Sequence, residues 1–82
     1  MADETMIATL AQEIAAKVLK RPNRKIKPDE ALITSGLIPS MDLVELAIVV
    51  EDLYGVHIDD TELTPDVFDT LEQLAELVQS RM

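Results

Sequence analysis

Residues 40–55 read SMDLVELAIVVEDLYG, and the fold class turns on whether this stretch is a helix or a strand. Ile48, Val49 and Val50 are β-branched, which favours a strand. Leu43, Leu46, Val50 and Leu53, however, recur at spacings of three, four and three, and polar residues do not alternate with them. Gly55 stands where a helix needs a left-handed C-cap. The stretch is therefore a helix, with Ser40 at its mouth and Pro39 just before it. Serine is a favoured N-cap, so capping alone accounts for its residue type.

Upstream, Ile7, Leu10, Ile14 and Val18 form one apolar stripe, with Ala8, Ala11, Ala15 and Ala16 around them. Asp3 or Thr5 is placed to cap this first helix, and Pro22 stops it near Lys20, giving a span of Thr5 to Lys20. About twenty residues follow, RPNRKIKPDEALITSGLIPS, a length that is unusual for a structureless loop. Ile26, Leu32, Ile33, Leu37 and Ile38 point to a loop packed over the core, with a short helical turn at PDEAL. Downstream, VHIDD reads as an extended connector. LTPDVF reads as a short helix with Thr64 as cap and Pro65 at the first position. The last helix starts at Thr70, with Gln73 at capping-box spacing, and carries Leu71, Leu74, Leu77 and Val78 on one face.

Together these elements predict an all-α, antiparallel four-helix bundle with a long first loop and a short third helix. With 82 residues and no internal repeat, the whole of 1–82 is expected to be one domain. Apolar residues make up 48% of the chain but aromatics only 2%, so aliphatic side chains must build the core. The opening MADETM is acidic where a signal peptide would be basic, and the longest apolar run, Leu46 to Val50, is far too short to cross a bilayer. A soluble, cytoplasmic protein is expected.

Charge excludes several classes of partner. The net charge is −9, with +3 on residues 1–27 and −12 on residues 28–82. Such a field repels nucleic acid and anionic lipid and favours basic protein partners. The cluster Lys17, Lys20, Arg21, Arg24, Lys25 and Lys27 lacks interleaved aromatics, so it reads as a solvated helix end and loop. Catalytic chemistry is not expected. His57 is the only histidine, a whole helix away from Ser35 and Ser40, and there is no cysteine or glycine-rich phosphate loop. Asp59, Asp60 and Glu62 lack calcium-loop spacing, so no metal site is expected.

The segment LIPSMDLVEL places a serine after a small loop and ahead of Met41, Asp42, Val44, Glu45 and Leu46. It resembles the attachment motif of the acyl carrier protein family. The resemblance spans nearly the whole chain, through the GLI approach, the GVHI connector, the LTPDVF turn and the order of helices. It implies that Ser40 is esterified to 4′-phosphopantetheine donated by coenzyme A through a phosphopantetheinyl transferase. The arm's thiol would then hold acyl groups as thioesters, as in fatty acid biosynthesis and lipid metabolism, which fits a chain without cysteine. It further implies a non-enzymatic, monomeric carrier that docks basic patches on acyl-activating or acyl-transferring enzymes. Met41, Asp42, Val44, Glu45, Ile48 and Asp52 would form the docking surface, although Val44 and Ile48 read equally well as edge-of-core residues. Two alternatives stand beside the acyl reading: an aminoacyl, D-alanyl or peptidyl carrier, and an unmodified interaction domain with the same fold. Pro39 departs from the family, where aspartate usually precedes the serine and helps the transferase. That departure points to a specialised carrier.

Overall fold

The computed structural model describes residues 3–82. Three α-helices are found among them: α1 (Glu4–Glu13), α2 (Leu43–Tyr54) and α3 (Leu71–Ser80). Asp3 caps α1, its carboxylate accepting the Thr5 N–H at 2.8 Å. The helix then continues as a wide π-type turn over Ile14–Val18, in which the Leu19 N–H reaches back to the Ile14 carbonyl at 2.9 Å. It ends with the Arg21 N–H on the Ala15 carbonyl at 2.8 Å and Lys20 in the left-handed region, at φ 58. This is a Schellman-like end made without glycine, at a cost of about 1 kcal/mol. Pro22 supplies the reason for stopping there, because it disfavours a helical residue before it.

The stripe Ile7, Leu10, Ile14 and Val18 is buried along its length. It meets Leu71, Leu74, Ala75 and Val78 of α3 and Leu43, Leu46, Val49 and Val50 of α2 in one core. Val49 joins the core, whereas Leu53 is only half-buried, so the buried face of α2 sits slightly round from a Leu43–Leu46–Val50–Leu53 line. Phe68 is wholly buried, and no polar or charged side chain is buried among the described residues. Gly55 caps α2 at φ 68 as its position predicts, its N–H bonded to the Glu51 carbonyl at 2.8 Å.

The fourth helix expected over LTPDVF does not form. The Val67 and Phe68 N–H groups both donate to the Thr64 carbonyl at 3.1 Å, closing a single turn. Its continuation is blocked because the Asp69 N–H is taken by the Gln73 side chain at 2.7 Å. Phe68 anchors this turn in the core, but a single turn gains too few backbone bonds to propagate as a helix. A 3₁₀ turn appears instead at Asp60–Glu62, opened by Asp59, which accepts the Thr61 N–H at 3.1 Å. Arg81 clasps this turn to the end of α3 through a two-pronged pair with Glu62 and a bond to the His57 carbonyl at 3.2 Å. Hydrogen bonding from Arg81 holds the Glu62 carboxyl below its ordinary range, with the Asp59 N–H adding to it.

The long first loop is ordered by α3. The Leu32 N–H donates to the Asp69 carbonyl at 2.6 Å, and the Glu72 N–H to the Pro28 carbonyl at 3.2 Å. The Asp69 carboxylate accepts the Ile33 N–H at 2.8 Å, the Thr34 N–H at 3.0 Å and the Thr34 hydroxyl at 2.6 Å. PDEAL forms a hydrogen-bonded turn rather than a helical one, closed by the Glu30 N–H on the Lys27 carbonyl at 3.1 Å. Gly36, at φ 79, reverses the chain so that the Ile38 N–H meets the Leu32 carbonyl at 2.9 Å. Ile26, Leu32 and Ile38 are buried, and Ile33 and Leu37 pack against the core edge.

Partial burial works to raise the Asp69 pKa, but the bonds from Thr34 and Ile33 outweigh it and hold the group below its ordinary value. A depressed carboxylate contributes stability above the unfolded pKa, near 4, and loses it as pH falls through the folded value. Asp69→Ala should therefore lower stability at pH 7 by about 1–3 kcal/mol. Urea denaturation at pH 7 and pH 3 should show wild type and Asp69→Asn converging in acid.

Candidate functional site

Ile38 is buried and Pro39 follows it in extended geometry, at φ −59 and ψ 152. Proline's fixed φ suits the position before a first helical turn, where no N–H is required of it. The chain then enters a 3₁₀ turn over Ser40–Asp42 that runs directly into α2. The Asp42 N–H donates to the Pro39 carbonyl at 2.8 Å, and the Leu43 N–H to the Ser40 carbonyl. The N–H groups of Ser40 and Met41 precede the first helical bond and remain open to an anion.

Ser40 does not cap this helix. Its side chain is exposed, it lies inside the entry turn after Pro39 at the N-cap, and Asp42, at the N-cap of α2, makes no capping bond. Capping thus explains the serine's residue type less well in three dimensions than in sequence. Ser35, the other serine in this stretch, is committed structurally: its hydroxyl donates to the Ala31 carbonyl and accepts the Leu37 N–H at 3.2 Å. His57 is exposed, with Nδ1 at 3.6 Å from Glu51 Oε2. No cluster of three or more metal-ligating side chains is present among the described residues.

Along α2 the two faces separate cleanly. Met41 is 84% exposed, Val44 51% and Ile48 50%, so these three, spaced by three and four, lie outside the core. Glu45, Glu51 and Asp52 are exposed around them, and Asp42 is half-buried at the helix start. Beside Val44 and Ile48 lies a shallow hollow of about 110 Å³, closed on its far side by His57, Ile58 and Asp60 of the connector. The exposed apolar strip thereby extends from Met41 towards the connector, within an acidic frame.

The basic cluster is only partly solvated. Lys17 pairs with Glu13 at 3.3 Å and Arg24 with Glu30 at 2.6 Å. The Lys27 N–H, aided by Arg24, holds the Glu30 carboxyl below its ordinary range. Arg21 and Arg24 also line a hollow with Pro39 and Asp42, on either side of Ser40 in sequence. Nothing in the residue spacing brings position 21 to position 39; that meeting depends on the path of the loop.

A three-helix domain with an exposed, unbonded serine at the start of an acidic helix is the arrangement of a phosphopantetheine carrier. The family described as "Phosphopantetheine attachment site" matches residues 10–78, and this chain belongs to it. The chain is 37% identical over 68 residues to the D-alanyl carrier protein of Bacillus pumilus (strain SAFR-032), covering 78% of this chain and 87% of that one. No solved structure matches it. The protein is accordingly a carrier whose prosthetic group is covalently attached 4′-phosphopantetheine, and no helix among the described residues is long and apolar enough to cross a membrane.

The two faces of α2 should respond differently to substitution. Val44→Ser and Ile48→Ser should each change stability by less than about 1 kcal/mol. Leu46→Ala, at a fully buried site, should cost about 2–5 kcal/mol. Thermal or urea unfolding of the three variants checks this, and core-like losses at Val44 and Ile48 would make them packing residues.

Proposed function

We propose that Ser40 is the attachment residue and that the arm carries an aminoacyl group, D-alanyl in the first instance. The observation that carries the reading is the Ser40 hydroxyl, exposed and unbonded at the start of α2, in a chain 37% identical to a D-alanyl carrier protein. When bound, the group supplies the thiol on which the cargo is held as a thioester, a sulfur this cysteine-free chain does not have. The chain's own contributions are the nucleophilic oxygen, the open N–H groups of Ser40 and Met41 beside the phosphate, and a rigid base in Pro39 and the buried Ile38. Leu43, Leu46 and Val50 are buried in the core.

Incubation with coenzyme A and a panel of phosphopantetheinyl transferases should add one arm to wild type and none to Ser40→Ala, read by intact mass. The loaded protein should then accept D-alanine from an aminoacyl-activating ligase in preference to fatty acyl groups from an acyl ligase. Preferential fatty acylation would restore the acyl-carrier reading. A wild type that no transferase modifies would leave the unmodified interaction domain.

On the same reading, Met41, Asp42, Val44, Glu45, Ile48 and Asp52 form the surface that meets these enzymes. The apolar strip would supply contact area and the carboxylates would steer basic partners. Glu45→Lys with Asp52→Lys should slow association with a loading enzyme by about tenfold or more at low salt while leaving the fold intact. The difference should narrow as ionic strength rises. Equal on-rates at low salt would move the docking face elsewhere.

A further inference from the structure

Between the wide turn ending α1 and the entry to α2 lies a hollow of about 280 Å³. Val18, Leu19 and Leu37 give it apolar walls, and Pro39, directly before Ser40, and Asp42, two residues after it, complete the lining. Arg21 and Arg24 are its two cations. Arg24 is already committed to Glu30 at 2.6 Å and to the Lys25 carbonyl at 2.6 Å. Arg21 has no ion-pair partner among the described residues. Its backbone is nonetheless fixed, by the bond to the Ala15 carbonyl at 2.8 Å and by Lys20 in the left-handed region just before it. An uncommitted guanidinium on a fixed backbone, in a hollow whose wall includes Pro39, the residue before Ser40, is a preset countercharge for an anion there. The Asp42 carboxylate shares the hollow, which makes the Arg21 charge the more necessary for an anion to settle there.

Resting on Ser40 as the attachment residue, we propose that this hollow seats the phosphate end of the arm, with Arg21 as its ion-pair partner. The arm then leaves Ser40 on the loop side of the helix entry. Met41, Val44 and Ile48 stay clear for partner enzymes while the arm is at rest. Exposed pairs are screened by salt, so the seat is a resting position that an enzyme can empty.

The test uses holo-protein made from wild type, Arg21→Gln and Arg21→Lys, with loading verified by intact mass. In folded wild type the ³¹P resonance of the serine phosphodiester should lie away from its position in urea-unfolded holo-protein. It should return towards that position as sodium chloride is added. The Arg21 Nε–Hε resonance should shift when apo-protein is loaded. Arg21→Gln should lose the ³¹P displacement, and Arg21→Lys should keep part of it. A ³¹P position shared by wild type and Arg21→Gln overturns the seat while leaving attachment at Ser40 intact. The same holds if Arg21→Gln only slows loading, which would make Arg21 a transferase contact. A wild type whose mass no transferase changes overturns the attachment and the seat together.

Discussion

The Asp69 carboxylate is the constraint from which the position of the serine follows. It lies just before α3 and accepts two backbone N–H groups and one hydroxyl from Ile33 and Thr34, more than thirty residues earlier. Its own carbonyl takes the Leu32 N–H. Leu32 in turn offers its carbonyl to Ile38, the residue before Pro39. A short relay of hydrogen bonds therefore runs from the start of one helix to the start of another. A twenty-residue loop left to itself would sample many conformations and place Ser40 nowhere in particular. Tied to Asp69 and pinned by buried Leu32 and Ile38, it delivers Ser40 at one spot on the surface. Asp69 matters most for the part-buried Ile33 N–H, which would otherwise be unpaired at the core edge.

Local rules made the helices legible and non-local contacts decided the rest. The Ile7–Leu10–Ile14–Val18 stripe, Gly55 and Thr70 each act within a few residues, and each does in three dimensions what its position implies. The capping pair at α3 already departs from a simple box. Thr70 accepts the Gln73 N–H, but the Gln73 side chain reaches Asp69 rather than Thr70. That one-residue shift stops the LTPDVF turn from growing into a helix. The Asp69 loop tie and the Arg81–Glu62 clasp span 35 and 19 positions, and no periodicity encodes them. An aspartate directly before a helix cap was the sequence trace of the first. It was indistinguishable from any polar residue at a helix start.

The candidate site divides in the same way. The exposure of Met41, Val44 and Ile48 follows from helical spacing once Leu43, Leu46 and Val50 are set in the core, so the strip was visible in sequence though its meaning was open. Arg21 was not visible as part of any site. It belonged to a run of cations that reads as solvated, and only the fold brings it to the wall that Pro39 and Asp42 share. Charge of both signs then surrounds Ser40, with Asp42 sharing the arginine-lined hollow. Arginines stand towards the first helix, and carboxylates run along α2. On the proposed reading, a phosphodiester on Ser40 and a basic enzyme surface would be drawn to different sides of the same residue.

Pro39 gains a physical rationale in this setting. An aspartate there would bring a second carboxylate, beside Asp42, to the hollow that Arg21 faces, and would weaken that hollow's pull on an anion. Proline removes the charge, holds φ near the value the entry turn needs and gives up an N–H that nothing at this position requires. On the proposed reading, what is lost is an acidic handle for a transferase. The nearest acids left are Asp42 and Glu45, one helical turn further on. On the proposed reading, an enzyme that loads this carrier must take its electrostatic bearing from those two residues. Transferases that depend on an acid immediately before the serine would be poor partners, whereas those that read α2 would not. Selectivity among transferases would thus arise from one uncharged residue set between an arginine-lined hollow and an acidic helix.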